Sequence, residues 1–393
     1  MRIFLLMLSL LSAITLTAQK SLPQIKAGSV DAFIQDGENV KISWKLDPAV
    51  KPDIYYVNIP HKRSRISFKT DREQIDYTTE YGKSFDFVVL LNNRDSCFVR
   101  ILAKEDPSSL SAQSKTNYPV SIPFTMKGSR VYFDGRLNDG KSVSIQLDLG
   151  AGSSAINKLS ADKLNLVFEG KAILSNTQGV NDVRLSQQNT LSIGDLSWTK
   201  VPFVEVGNMQ PHEDLIIGNS LFRDRIIEIN YDKKQFILHK VLPAYAKQYL
   251  KQPVFFEQHR PMFKIDFLQN GNVFTHWFEF DTGRDGTMLI GEDFTAADDN
   301  WNRLKELQII NGRKIVRLDA TIAGKTFKDI VTNAADPAKP AGRHSLFGNA
   351  LLNKFNVILD NINGFIYLKP NTHIAEPYAD YEKYLQDISK QKN

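Results

Sequence analysis

Hydrophobic and polar positions alternate along most of this chain, with the period of two that marks strands rather than the 3.6 of helices. Between residues 29 and 105 the alternating runs are short, as in Val40-Lys41-Ile42-Ser43-Trp44, Ile54-Tyr55-Tyr56-Val57 and Phe85-Asp86-Phe87-Val88-Val89-Leu90-Leu91. Asp36-Gly37 and Asn92-Asn93 supply turn chemistry between such runs. This part predicts a small all-β module. Glu105 to Asn117 is polar and aperiodic and predicts a linker. At the far end, Tyr381, Tyr384, Leu385 and Ile388 have helical spacing, which predicts a short amphipathic helix in the stretch from Pro377 to Asn393.

From residue 119 onward the pattern occurs twice. Pro119 opens a strand-turn-strand passage ending in Asp148-Leu149-Gly150, and Leu215-Ile216-Ile217-Gly218-Asn219-Ser220-Leu221 and then Leu238 follow. Pro253 opens a second passage ending in Asp281-Thr282-Gly283, followed by Leu346-Phe347-Gly348-Asn349-Ala350-Leu351-Leu352 and Leu368. The intervals between landmarks are 29, 70 and 20 residues in the first copy and 28, 67 and 20 in the second. Asn138-Asp139-Gly140 and Asn270-Gly271 are hairpin turns feeding the strands that end at the two acids. Ile226 to Asp232 and Phe355 to Asp360 are matching strands. A half-domain duplicated around one acidic residue predicts two lobes, each about 120 residues long, whose carboxylates face each other across a pseudo-two-fold axis.

Composition leaves this picture standing. Apolar residues make up 42% and charged residues 24%, as in an ordinary globular chain of 393 residues. The net charge is +5 without a run of Lys and Arg interleaved with aromatics, which argues against nucleic acid as a partner. Arg2, the apolar run Ile3 to Leu16 and the small residue Ala18 form the pattern of a signal peptide over residues 1–18, too short for a comfortable membrane span. It predicts an exported protein, periplasmic or secreted, with no stable membrane insertion after cleavage. Cys97 is the sole cysteine and sits in an alternating run, so a buried structural thiol is expected and an intramolecular disulfide is impossible.

The duplicated motifs resemble those of the aspartic peptidases, in the retropepsin-like bilobal form. In that family each lobe carries an Asp-Thr/Ser-Gly triplet and, later, two hydrophobic residues and a glycine. Asp281-Thr282-Gly283 with Leu346-Phe347-Gly348 match in the second lobe. Ile216-Ile217-Gly218 matches in the first, where the triplet reads Asp148-Leu149-Gly150. The resemblance covers roughly residues 119 to 370. It implies catalytic Asp148 and Asp281, supported by Gly150, Thr282, Gly283, Gly218 and Gly348, and acid-protease β-barrel lobes of six-stranded type. It also implies a flap hairpin in each lobe, with Gln178 and Gly179 as candidates in the first and Asn311 and Gly312 in the second. The implied activity is metal-free and cofactor-free hydrolysis of polypeptide at acid pH. Leu149 supplies no hydroxyl to the cross-lobe network, and Arg284 follows the second triplet where a small residue is usual. An impaired relative that binds a peptide or a partner protein in the cleft is therefore the alternative.

Other motifs are weaker. Gly150-Ala151-Gly152 with Glu169 imitates a dinucleotide fingerprint but lacks the βαβ continuation. A Gly-x-Ser-x-Gly elbow is absent, and the seven histidines have no metal-ligand spacing. Asp195, Asp214 and Asp232 occupy turn-like contexts that predict solvated carboxylates. The expected division is a signal peptide at 1–18, an N-terminal β module at 19–117, lobes at 118–245 and 246–372, and a C-terminal tail at 373–393.

Overall fold

The computed structural model describes residues 21–391, apart from 177–178 and 311–312. Residues 24–102 form two four-stranded sheets. One contains Gln24–Ala27, Ser84–Leu91, Asp95–Leu102 and Asp53–Tyr56; the other contains Val40–Lys45, Asp31–Asp36, Arg65–Lys69 and Gln74–Thr78. Alternation explains the packing, since every second residue points inward. Ile34, Ile66, Phe68, Phe87 and Val89 are fully buried in a hydrophobic cluster of this module's own, together with Cys97. Asn92 and Asn93 adopt φ of 54° and 57°, the left-handed pair at the centre of the turn that Arg94 N closes by donating to Leu91 O at 3.0 Å.

Apart from the short strands Gln113–Ser114 and Thr125–Lys127, the remaining strands are numbered from residue 120. The first ten are β1 (Val120–Pro123), β2 (Arg130–Leu137), β3 (Lys141–Leu147), β4 (Ala155–Asn157), β5 (Gly170–Asn176), β6 (Gly179–Ile193), β7 (Leu196–Val206), β8 (Leu215–Ile217), β9 (Ile226–Asn230) and β10 (Gln235–His239). The next ten are β11 (Leu250–Glu257), β12 (Arg260–Gln269), β13 (Asn272–Phe280), β14 (Met288–Ile290), β15 (Glu306–Ile310), β16 (Arg313–Ile322), β17 (Lys325–Ala334), β18 (Leu346–Phe347), β19 (Phe355–Asp360) and β20 (Phe365–Pro370).

Strands β2-β3-β8-β4-β7-β6 follow one another in the sheet, and β6 pairs back onto β2 to close a six-stranded barrel. The order β12-β13-β18-β14-β17-β16 repeats this ten numbers later, closed by β16 on β12. Even the senses agree: β3 with β8 and β13 with β18 are parallel, whereas β4 with β8 and β14 with β18 are antiparallel. The second barrel is filled by aromatics, with ring centroids 4.8 Å apart for Phe278 and Phe347 and 5.3 Å apart for Phe267 and Phe294. Burying each such ring contributes about 1.5–3 kcal/mol.

A third sheet joins the halves in the order β1-β10-β9-β19-β20-β11. Its centre is the antiparallel pair β9 and β19, in which Ile226 faces Asp360 and Ile229 faces Val357. The halves therefore share main-chain hydrogen bonds as well as side-chain packing. The N-terminal module docks near this junction. The Asn58 amide donates to Phe256 O at 2.5 Å and its Oδ1 accepts from Phe256 N at 3.1 Å. Arg223 of the first half donates to Asn58 O at 2.7 Å, and Ile59 packs against Gly364 and joins the core of the barrels.

The C-terminal helix spans Tyr381–Gln391. Tyr381, Tyr384 and Ile388 are half-buried, but Leu385, placed on the same apolar face by its spacing, is 49% exposed. Among the described residues, no helix is long and apolar enough to cross a membrane. The proposed signal peptide, residues 1–18, lies outside the described residues.

Candidate active site

Asp148 and Asp281 sit one residue beyond the ends of β3 and β13, where the parallel neighbours β8 and β18 still reach them. Asp148 N donates to Ile217 O at 2.9 Å, and Asp281 N donates to Phe347 O at 3.0 Å. Each chain then turns back on its own carboxylate. Gly150 N donates to Asp148 Oδ1 at 2.9 Å, and Gly283 N to Asp281 Oδ1 at 2.9 Å. These paired bonds aim the two side chains by the same device.

The glycines of the two triplets make room across the junction. A Cβ on Gly283 would lie 2.2 Å from Asp148 Oδ2, and one on Gly150 would lie 2.7 Å from Asp281 Oδ1. Neither position admits a side chain without moving the opposite acid. Asp148 and Asp281 thus meet across the junction, each carboxyl facing the glycine of the other triplet. Gly218 and Gly348 serve the turns from below: a Cβ there would fall 2.2 Å from Ala151 O and 2.4 Å from Gly286 O.

Thr282 and Leu149, the central triplet residues, are not equivalent. Thr282 Oγ1 accepts from Leu149 N at 2.8 Å and donates to Leu147 O at 3.2 Å, so one hydroxyl ties both sides of Asp148 to the second half. Leu149 returns no such bond; its side chain is fully buried among apolar residues. The network therefore runs in one direction. Asn349 completes it by donating to Thr282 O at 2.7 Å, and Asn219, its counterpart after Gly218, donates to Asn361 Oδ1 at 2.8 Å and His259 O at 2.9 Å.

The electrostatics follow from this enclosure. Both acids keep a partly accessible edge yet are surrounded by protein. Burial raises the pKa of Asp148, and the charge of Asp281 raises it further. Asp281 is also raised by burial, although the Gly283 N–H and the Arg284 charge oppose the shift. Arg284 thus acts on Asp281 in the expected direction, but desolvation outweighs it. Two acids so placed titrate as a pair and favour holding one proton between them.

A third acid, missed in the sequence, stands beside them. Glu279 is 4% exposed, and its Oε1 would lie 2.7 Å from a Cβ on Gly150, the space Asp281 also faces. Arg260 Nη1 donates to Glu279 Oε2 at 3.0 Å. Burial pushes the Glu279 carboxyl well above its usual range; Arg260 opposes this, while Asp281, Asp148 and Glu257 add to it. Its position two residues before Asp281 on one strand face was the available signal. The repeat concealed it, because the first-half equivalent is the buried amide Gln146.

Of the other residues singled out in the sequence, Gly179 begins β6 and pairs with Asn176 in the β5–β6 hairpin. Gln178, Asn311 and Gly312 lie outside the described residues; β15 and β16, on either side of the latter two, form the corresponding hairpin. The expectation of solvated carboxylates holds for exposed Asp195 and Asp232 but not for half-buried Asp214. Asp214 accepts from Ser144 N at 2.8 Å and Ser160 Oγ at 2.6 Å, and Asp232 accepts from Thr372 N at 3.0 Å. Both acids are structural ties, since short polar side chains and free amides come within reach of them. Among the described residues, no group of three or more His, Cys, Asp or Glu is arranged to hold a metal ion.

A buried, proton-sharing carboxyl pair at the junction of two barrels defines a centre suited to acid–base hydrolysis. A family model described as aspartyl protease matches residues 133–221, which include Asp148 and Gly218, so this stretch is similar to the aspartyl proteases. No curated protein matches the chain.

Proposed function

We propose that the chain is an exported aspartic endopeptidase whose two barrels are pseudo-symmetric aspartic-protease lobes, residues 118–245 and 246–372, preceded by a β domain at 19–117. The observation that carries this reading is the mutual fit of Gly150 with Asp281 and of Gly283 with Asp148. In the mechanism, the ionised member of the pair takes a proton from water as the water oxygen attacks the scissile carbonyl carbon. The protonated member gives its proton to the carbonyl oxygen. The tetrahedral diol then collapses: the C–N bond breaks, the amine nitrogen takes the proton that the pair gained from water, and the other carboxylate takes a proton from a diol hydroxyl as that oxygen becomes the product's C=O, so one proton is again shared for the next cycle. Polypeptide is the substrate, and the raised pKa values of both groups keep a proton on the pair under acid conditions.

The buried Leu149 favours one alternative, a lobed protein that binds peptide without cutting it, because half of the hydroxyl tie is absent. Cleavage of a mixed peptide library between pH 3 and 8, read by mass spectrometry, separates the two. Wild type is expected to cut with an acid optimum, and Asp148→Asn and Asp281→Asn each to lose at least a thousandfold in rate. Equal turnover in all three proteins refutes the peptidase mechanism. Peptide binding without cleavage establishes the alternative.

A further inference from the structure

Three arginines from segments distant in the chain lie within electrostatic reach of one another in the second half, and one of them, Arg284, adjoins Asp281 of the acid pair. Arg284 follows the second triplet, Arg313 opens β16, and Arg343 lies in the loop before β18. The Arg284 stem lies over Gly286 and Gly348, where a Cβ would come 3.3 Å from Arg284 Nε and 3.1 Å from its Cγ. That Nε is buried and has no hydrogen-bond partner. Arg313 and Arg343 each make the charge on Arg284 less favourable, and Arg343 does the same to Arg313. Like charges held this close cost energy unless an anion joins them.

The surrounding acids do not supply that anion. Glu292, on the helix after β14, is occupied by the backbone amides of Ala341, Gly342 and Arg343. Glu257 lies near His344, with Oε2 3.7 Å from Nδ1. Asp281 attracts Arg284 without forming an ion pair. Arg130 and Arg260, by contrast, both have carboxylate partners.

We propose that Arg284, Arg313 and Arg343 form a subsite for an acidic side chain, Asp or Glu, of the polypeptide lying across the acid pair. This rests on the peptidase-fold reading of the cleft and names its substrate class. A guanidinium with an unpartnered N–H is matched by a carboxylate, which accepts charge-assisted hydrogen bonds and offsets the crowding of three cations. A peptide carboxylate here also keeps Arg284 away from Asp281, leaving the shared proton in place.

The test is binding without turnover. Fluorescence polarisation at pH 6 with Asp148→Asn protein would compare labelled, C-terminally amidated decapeptides carrying one Glu at successive positions with their Gln counterparts. A Gln peptide with a free C-terminus is the third arm. At one position, the Glu peptide is expected to bind about tenfold tighter, a preference of about 1.4 kcal/mol. Adding Arg343→Gln or Arg284→Gln should abolish that preference. Arg284 and Arg343 are both half-buried, but Arg343 is on a loop whereas the Arg284 Nε is buried, so the Arg343 variant guards against a folding defect at Arg284. Equal binding of Glu and Gln peptides, absence of binding to both, or a preference that survives both substitutions overturns the proposal. A preference for the free C-terminus alone also overturns it. Cleavage by wild type is scored separately: a discriminating but non-cutting protein retires the peptidase reading and keeps the subsite.

Discussion

Replacing Thr282 by Val removes one hydroxyl while keeping the side chain's shape, so packing around it is preserved. Two contacts disappear, the 2.8 Å bond from Leu149 N and the 3.2 Å bond to Leu147 O. Leu147, Leu149 and Thr282 are all 0–1% exposed, so water cannot replace the lost partner. An orphaned buried N–H costs ~1–3 kcal/mol and the longer bond adds up to ~1 kcal/mol, which gives an expected destabilisation of about 2–3 kcal/mol. Thr282→Ser keeps the oxygen and should lose under 1 kcal/mol. Guanidinium unfolding followed by tryptophan fluorescence measures both against wild type. Because the hydroxyl holds the strand on either side of Asp148, peptide cleavage by the Val variant should also fall, by roughly 10- to 100-fold. If the Val variant unfolds within about 0.5 kcal/mol of wild type and cleaves equally well, the one-sided hydroxyl does not carry the tie assigned to it.

Two further outcomes follow from the site and the docking of the module. Asp148, Asp281 and Glu279 all have folded pKa values above the unfolded carboxylate value, so the stability they confer is fully present below about pH 4 and is lost as pH rises through the folded values. The guanidinium midpoint should therefore fall between pH 4 and 7, and fall less in Glu279→Gln, which cannot ionise; equal slopes would show that Glu279 is not held protonated by the fold. Asn58→Ala strips both side-chain partners from the Phe256 backbone and should cost ~1–3 kcal/mol, read as faster limited proteolysis between residues 103 and 119; unchanged cutting rates refute docking through Asn58.

The barrels were legible because each landmark marks a place where the backbone needs one residue type. Gly150, Gly283, Gly218 and Gly348 each leave a space that the opposite turn occupies, so the repeat of glycines carried the repeat of geometry. What stayed hidden involves side chains that break the symmetry or converge from far apart. Glu279 pairs with Gln146 in the repeat and looked like ordinary strand polarity. The Thr282 hydroxyl takes a main-chain N–H as its partner, which no side-chain pattern announces. Arg284, Arg313 and Arg343 are separated by about thirty residues each, and only the closing of the second barrel assembles them. Leu385 has the expected helical spacing yet stays 49% exposed, because an eleven-residue helix resting on one strand covers a stripe narrower than its apolar face.

The pairing of β9 with β19 also sets a condition on how the chain is made. At a synthesis rate of about 5–20 residues per second, the partner edge of Ile226–Asn230 emerges on the order of ten seconds after that strand does. Until then Ile226, Ile227 and Ile229, all buried in the finished protein, border an open row of unpaired amides and carbonyls. Such an edge is a template for pairing with other chains. The second half is thus the first half's built-in chaperone, and fusing both on one polypeptide keeps the matching edge always at hand, at a local concentration no separate subunit would reach.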